Sequence, residues 1–238
     1  MIIIFDSGIG GFECAYRLCT GKEEEAKNTK QVLYFADKDN FPYGSKSKEE
    51  LIQIITELFK FFESQKPELI IAACNTASTI IQELCQSDKN GFTKDKTYKS
   101  IQIVDMITSL NETMSKEANL TILATPITAQ YLASSGHKVM ALPKLAQMIE
   151  LNEPIEEYLL ENIPKDTKKI LYACTHYPIV HETFVKLFNC EYFNPIDKII
   201  TKVKKKYTKY TLKFHDNQTS KKYSKITSKQ AQFKKIRE

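Results

Sequence analysis

The chain has 238 residues, 42% of them hydrophobic and 26% charged, with a formal net charge of +5. That length allows one large domain or two small ones with their own cores, and the composition excludes a disordered or fibrous chain. No apolar run reaches membrane-spanning length, and the stretch between Met1 and Asp6 is too short for a secretory signal, so a cytoplasmic protein without a membrane partner is expected.

Read in chain order, strands alternate with helices. Residues 2–5 (IIIF) form a buried strand, and the turn Asp6-Ser7-Gly8-Ile9-Gly10-Gly11 leads into a helix from Phe12. A charged connection over 22–30 precedes a second strand at 31–36 and the loop DKDNFPYG. Ser47 and Glu50 form a capping box, and Leu51, Ile54, Ile55, Leu58, Phe59 and Phe62 keep one apolar face until Pro67 stops the helix. The strand LIIAA then ends on Cys74-Asn75-Thr76 and a helix over about 76–86. Residues 88–100 are polar and lysine-rich, and read as a connection.

The alternation restarts with strand 101–104, a helix at 107–117, strand 120–124 and a helix after Pro126. A short strand at 139–141, helices at 144–151 and 154–162, strand 169–173 and a helix after Pro178 complete it. Such alternation means parallel sheets flanked by helices, an α/β fold. The restart near 98 suggests two units: residues 1–97 with 208–238 carrying Cys74, and 98–207 carrying Cys174.

The two halves echo each other. LIIAACNT at 69–76 matches KILYACTH at 169–176, and IIIFDSG matches LTILATP. In open parallel sheets ligands bind outside the carboxyl ends of the strands, so two facing units would enclose one cleft with a cysteine on either wall.

Six cysteines show no C-x-x-C pair and are expected as free thiols; Cys14, Cys19, Cys85 and Cys190 read as buried apolar residues. Cys74 and Cys174 each stand at a strand-to-helix turn, where a helix N-terminus is expected to lower a thiol pKa. His176 can reach the same ligand as Cys174. Asp6, Cys74, Cys174 and His176 could alternatively ligate zinc, although the spacing is wider than structural zinc usually shows. The glycine turn lacks G-x-G-x-x-G spacing and suits a small carboxylate better than a nucleotide.

The basic charge is concentrated at the end. Residues 1–197 carry a net −7 and residues 198–238 a net +12. Only Arg17 and Arg237 are arginines, so the lysine-rich tail is a weak nucleic-acid signal and can equally rest on the acidic body.

Asp-Ser-Gly-x-Gly-Gly (6–11), Asn-Phe-Pro-Tyr-Gly (40–44), Ala-Cys-Asn-Thr-Ala (73–77) and Ala-Cys-Thr-His-Tyr-Pro (173–178), in this order, resemble the glutamate racemases over roughly residues 1–200. The resemblance implies two α/β domains related by a pseudo-two-fold axis, with the active site between them. It also implies cofactor-independent racemisation of glutamate by two cysteine acid/base groups, supplying D-glutamate for peptidoglycan, in an enzyme expected as a homodimer. Cys74 and Cys174 become the bases by this resemblance, Asp6 assisting Cys74, and His176 and Glu150 assisting Cys174. Ser7, Tyr43, Gly44, Asn75, Thr76, Thr125, Thr128 and Thr175 become the substrate-binding cage, with no metal. The family's Glu-Pro is replaced by Asp105-Met106, and its glycine before the second cysteine by Ala173. Alternatives are another small acid such as aspartate, or a binding protein acting through its basic tail.

Overall fold

The computed structural model describes residues 1–19, 29–206 and 209–214. Strand β1 (Ile2–Asp6) is buried at all five positions, as its unbroken apolar run requires of a strand covered on both faces. It lies between β2 (Thr29–Ala36) and β3 (Leu69–Ala72), parallel to both. Between these strands run α1 (Phe12–Cys19) and α2 (Lys48–Ser64). The capping box forms: Glu50 N donates to Ser47 Oγ at 3.2 Å, and Ser47 N to Glu50 Oε2 at 2.7 Å. Two otherwise orphaned N–H groups are thereby satisfied. Helix α3 (Asn75–Ser87) follows β3, capped at Cys74.

The polar segment 88–100 contains more structure than its composition announces. It holds a hairpin of β4 (Phe92–Thr93) and β5 (Thr97–Tyr98), which pairs antiparallel onto β6 (Ile101–Asp105). Phe92 and Tyr98 anchor the hairpin by packing on Phe59 of α2, with ring centroids 4.7 and 5.3 Å away. β6 itself is parallel to β3, with Ala72 opposite Asp105. The sequence restart at 98 thus does not coincide with a change of sheet, and strand 101–105 belongs beside β3.

The chain then passes through α4 (Met106–Met114) into a second sheet of β7 (Thr121–Ala124), β8 (Lys138–Ala141), β9 (Lys169–Ala173) and β10 (Glu191–Phe193). Its helices are α5 (Pro126–Leu132), α6 (Leu145–Leu151), α7 (Glu156–Asn162) and α8 (His181–Leu187). Helix α9 (Ile196–Lys206) returns to the first sheet, and β11 (Lys209–Phe214) pairs parallel to β2. His215 and the remainder of the basic tail lie outside the described residues.

Strand order is β11-β2-β1-β3-β6-β5-β4 in one sheet and β10-β9-β7-β8 in the other. The runs β2-β1-β3-β6 and β8-β7-β9-β10 are the same all-parallel arrangement repeated. β1 corresponds to β7, and β3 to β9. Each sheet carries apolar clusters on both faces. Ile3, Phe5 and Ile70 pack on α2 and α3, while Ile2, Ile4 and Ile71 pack on α1 and α9. In the second sheet Ile170 and Tyr172 face α6–α8, while Ile122 and Leu171 face α4 and α5. Each fully buried side chain of this size contributes about 1.5–3 kcal/mol. Among the described residues no helix is long and apolar enough to cross a membrane.

Candidate active site

The carboxyl ends of four equivalent strands converge on one cleft. β1 delivers Asp6 and Ser7, β3 delivers Cys74, β7 delivers Thr125, and β9 delivers Cys174. The cleft measures about 410 Å³ including its open mouth, and both thiols line it. Cys74 and Cys174 are each 6% exposed.

The wall around Cys174 is charged. Cys174 Sγ lies 4.0 Å from His176 Nδ1, and His176 Nε2 lies 2.9 Å from Glu150 Oε2. The same Glu150 oxygen accepts the backbone N–H of Ile9 at 3.1 Å, tying α6 to the glycine turn of the first unit. Burial alone would hold His176 neutral, but its hydrogen bonds to Cys174 and Glu150 raise its pKa to about 10. Asp6 is completely buried, and its Oδ2 accepts from Thr175 Oγ1 at 2.9 Å while Oδ1 accepts from Gly8 N at 2.9 Å. Burial pushes its carboxyl up, against the opposing pull of His176 and these two donors.

The glycines here serve close approach. A Cβ on Gly10 would sit 2.4 Å from Thr175 Oγ1, and one on Gly8 would sit 2.8 Å from Glu150 Oε2. Only bare backbone lets the turn of the first unit press against His176, Glu150 and Thr175 of the second.

The wall around Cys74 is made of hydroxyls. Ser7 Oγ lies 3.9 Å from Cys74 Sγ, and Thr76 Oγ1 lies 2.9 Å from Thr125 Oγ1. Thr128 completes a triangle, 3.1 Å from Thr125 and 3.5 Å from Thr76. Asn75 lines the cleft with a buried side chain whose Nδ2 and Oδ1 have no partner among the described residues. A buried carboxamide left unpaired in a cleft is equipped to bind a polar ligand. Tyr43 and Gly44 form part of this wall, in a 3-10 turn at Tyr43–Ser45.

The structure thus gathers the residues singled out by sequence, with distinctions among them. Ser7, Tyr43, Gly44, Asn75, Thr76, Thr125, Thr175 and His176 line the cleft with the thiols. Asp6, Glu150 and Thr128 stand behind them, and Asp6 hydrogen-bonds on the Cys174 side rather than to Cys74. At Cys74 the pull of the helix N-terminus is outweighed. Burial, reinforced by Asp6, pushes that thiol up, outweighing the Ala77 N–H and Ser7 that favour its charge. Among the described residues no three His, Cys, Asp or Glu side chains are arranged to hold a metal ion.

Residues without chemical signature also line the cleft: Phe41, Pro42, Ser45, Pro143 and Ala146. Phe41 and Pro42 belong to the Asn-Phe-Pro-Tyr-Gly stretch, which was the available signal for them. Phe41 packs against His176 with ring centroids 5.5 Å apart. Pro143 and Ala146 are placed by tertiary packing alone.

No family model matches the chain. The glutamate racemase of Fusobacterium nucleatum is 30% identical to it over 220 residues, an alignment covering 83% of this chain and 77% of that protein. The crystal structure of glutamate racemase from Campylobacter jejuni has the same fold, with a TM-score of 0.71 at 24% identity over 94% of this chain and 95% of that one. Glutamate racemase from Thermus thermophilus, in complex with β-chloro-D-alanine, gives a TM-score of 0.73 at 19% identity, covering 95% and 92%.

Proposed function

The chain belongs to the glutamate racemase family of amino-acid racemases, which are isomerases, and on that footing we propose that it interconverts L- and D-glutamate by a two-thiol mechanism. The observation that carries this reading is the placement of Cys74 and Cys174 at the ends of equivalent strands, both lining one cleft. A planar carbanionic intermediate must lose its proton to one face and regain it on the other, which one base cannot do. The thiolate of one cysteine takes the Cα proton, and the thiol of the other delivers its own proton to the opposite face. After one turnover the first cysteine is the thiol and the second the thiolate, the state that acts on the opposite enantiomer, and proton exchange with solvent restores the starting state.

The surrounding groups divide the work. Ser7, Asn75, Thr76, Thr125 and Thr175 supply neutral donors and acceptors for two carboxylates and an amine, with Asn75 still unpaired. Thr128 holds Thr76 and Thr125, while Tyr43 and Gly44 close the wall in front of Cys74. His176, charged at neutral pH and oriented by Glu150, stabilises negative charge arising at Cys174 during turnover. Asp6 fixes Thr175 and the glycine turn, and sets the field at Cys74. No cofactor enters this scheme. A cytoplasmic homodimer supplying D-glutamate for bacterial peptidoglycan is the accompanying biological reading.

The test is incubation of the reduced protein with L-glutamate in D2O, following optical rotation and Cα deuterium by NMR. Racemisation with deuterium incorporation is expected. Cys74→Ala and Cys174→Ala should each lower it by at least about 10²–10⁴-fold while remaining folded. No exchange with glutamate would overturn the glutamate assignment, and exchange only with another small dicarboxylate would replace it.

A further inference from the structure

One buried carboxyl group lies beside the cleft and has no role in the scheme above. Asp37 follows directly on β2 and is 6% exposed. Its backbone N–H donates to Asp6 O at 2.8 Å, fastening it to the end of β1. Its side chain gathers the loop that follows. Asn40 Nδ2 donates to both carboxyl oxygens, at 3.1 and 3.0 Å, and Tyr43 Oη donates to Oδ2 at 2.6 Å.

Tyr43 carries that restraint into the cleft. It is 1% exposed and packs in the same apolar cluster as Cys74. The next residue, Gly44, comes so close to Thr125 of the second unit that a Cβ would lie 2.9 Å from the threonine Cβ. One carboxyl group therefore fixes the wall facing Cys74 and the place where that wall meets the opposite unit.

The loop's turns do not need this acid. Backbone bonds from Phe41 N to Lys38 O and from Lys46 N to Tyr43 O already close them. Burying a carboxyl group and a phenol is costly unless they bond, and a phenylalanine would fill the ring site equally well. The polar pair makes sense through what the Tyr43 ring covers.

We propose, resting on the racemase reading above, that Asp37 is a positioning residue for proton transfer at Cys74: through Tyr43 it holds the loop shut over that thiol and keeps water from it. The effect is larger at Cys74 than at Cys174. Asp6, Tyr43 and Cys174 are the titratable groups facing Cys74, and burial is the largest influence pushing both the Cys74 thiol and the Tyr43 phenol up. Cys174 instead faces His176 and Tyr177, and neither of these bonds to Asp37. Loosening the loop admits water directly to Cys74, while Cys174 meets the loop only at one remove, through Phe41 on His176.

The experiment is timed alkylation by iodoacetamide across a pH series, with the Cys74 and Cys174 peptides quantified separately. It is run on wild type, Asp37→Asn, Tyr43→Phe and the double variant. In Asp37→Asn the Cys74 midpoint should fall by about one pH unit, which makes reaction below it about tenfold faster, with a clearly smaller change at Cys174. Tyr43→Phe keeps the ring, loses the bond and should do the same, so it carries the test if Asp37→Asn folds poorly. The double variant should add nothing to either single change. Glutamate turnover should drop about tenfold in both single variants. An unmoved Cys74, an equal shift at both thiols, or unchanged turnover overturns the proposal. A wild-type protein that does not racemise glutamate overturns the racemase reading instead, while the alkylation profile still decides the role of Asp37.

Discussion

Thr76 and Thr125 belong to different units, and their hydroxyl oxygens lie 2.9 Å apart across the cleft. A second bridge repeats the logic, with Thr175 of the second unit donating to Asp6 of the first at 2.9 Å. In each case a residue at the end of a central strand, β7 or β1, bonds to the turn just after the opposite unit's cysteine. The two bridges differ in kind. One is neutral, while the other joins a hydroxyl to a buried acid beside His176 and Glu150. The pseudo-two-fold axis relates the backbones but leaves one hydroxyl wall and one charged wall.

The hydroxyl bridge can be removed by Thr76→Val, which leaves Thr125 its bond to Thr128. A typical intramolecular hydrogen bond is worth about 1 kcal/mol, so the midpoint of urea unfolding should fall correspondingly. Because Thr76 lines the cleft, KM for glutamate should rise by about tenfold at the same time. Unchanged KM with lowered stability would reduce Thr76 to a structural strut.

The charged wall makes a pH prediction. His176 is raised from 6.5 to about 10, so its contribution to stability is fully present below 6.5 and is lost as pH rises through about 10. Glu150→Gln removes one of the partners that raise it, and the remaining contribution is smaller. Wild type should therefore melt higher than Glu150→Gln near the lower end of that window, with the gap narrowing as pH rises through it. Parallel melting curves across the window would show that Glu150 does not hold the imidazolium.

Asp105 serves the fold rather than the cleft. It is buried, caps α4 through Thr108 N at 2.9 Å, and accepts from Gln82 Nε2 and Lys96 Nζ at 3.0 Å each. It does not line the cleft. Asp105→Ala should cost about 2 kcal/mol of stability, for a lost cap and the orphaned buried amide of Gln82, while turnover per folded molecule stays at the wild-type level. A selective loss of kcat in folded protein would place Asp105 in the chemistry after all.

Strand ends and cysteine turns were legible because a parallel strand buried on both faces must be apolar throughout and must stop where the chain turns polar. Ile2–Phe5 and Leu69–Ala73 do this, and the Ser47/Glu50 cap marks its helix by local chemistry alone. Sheet membership was not legible for β6, since periodicity says that Ile101–Asp105 is a strand but not which strand it pairs with. The hairpin at Phe92 and Tyr98 hid in a lysine-rich segment, because two aromatic anchors decide its fate through Phe59, more than 30 residues upstream. Cys74 went against its local signal for a similar reason. Position at a helix start favours the thiolate, but enclosure by Tyr43 and the opposite unit is a tertiary effect and outweighs it. Asp37 carried no motif signal, because its partners Asp6, Asn40 and Tyr43 converge only once the loop is folded.

Helix α9 covers the face of the first sheet formed by Ile2, Ile4 and Ile71, yet it is made after every strand of the second unit. During synthesis the ribosome therefore releases the opening strands long before the residues that cover them. Until Ile196, Ile199, Ile200 and Val203 emerge, that greasy face lacks most of the cover it has beyond α1, and a nascent chain stalled within the second unit is a natural client for chaperones.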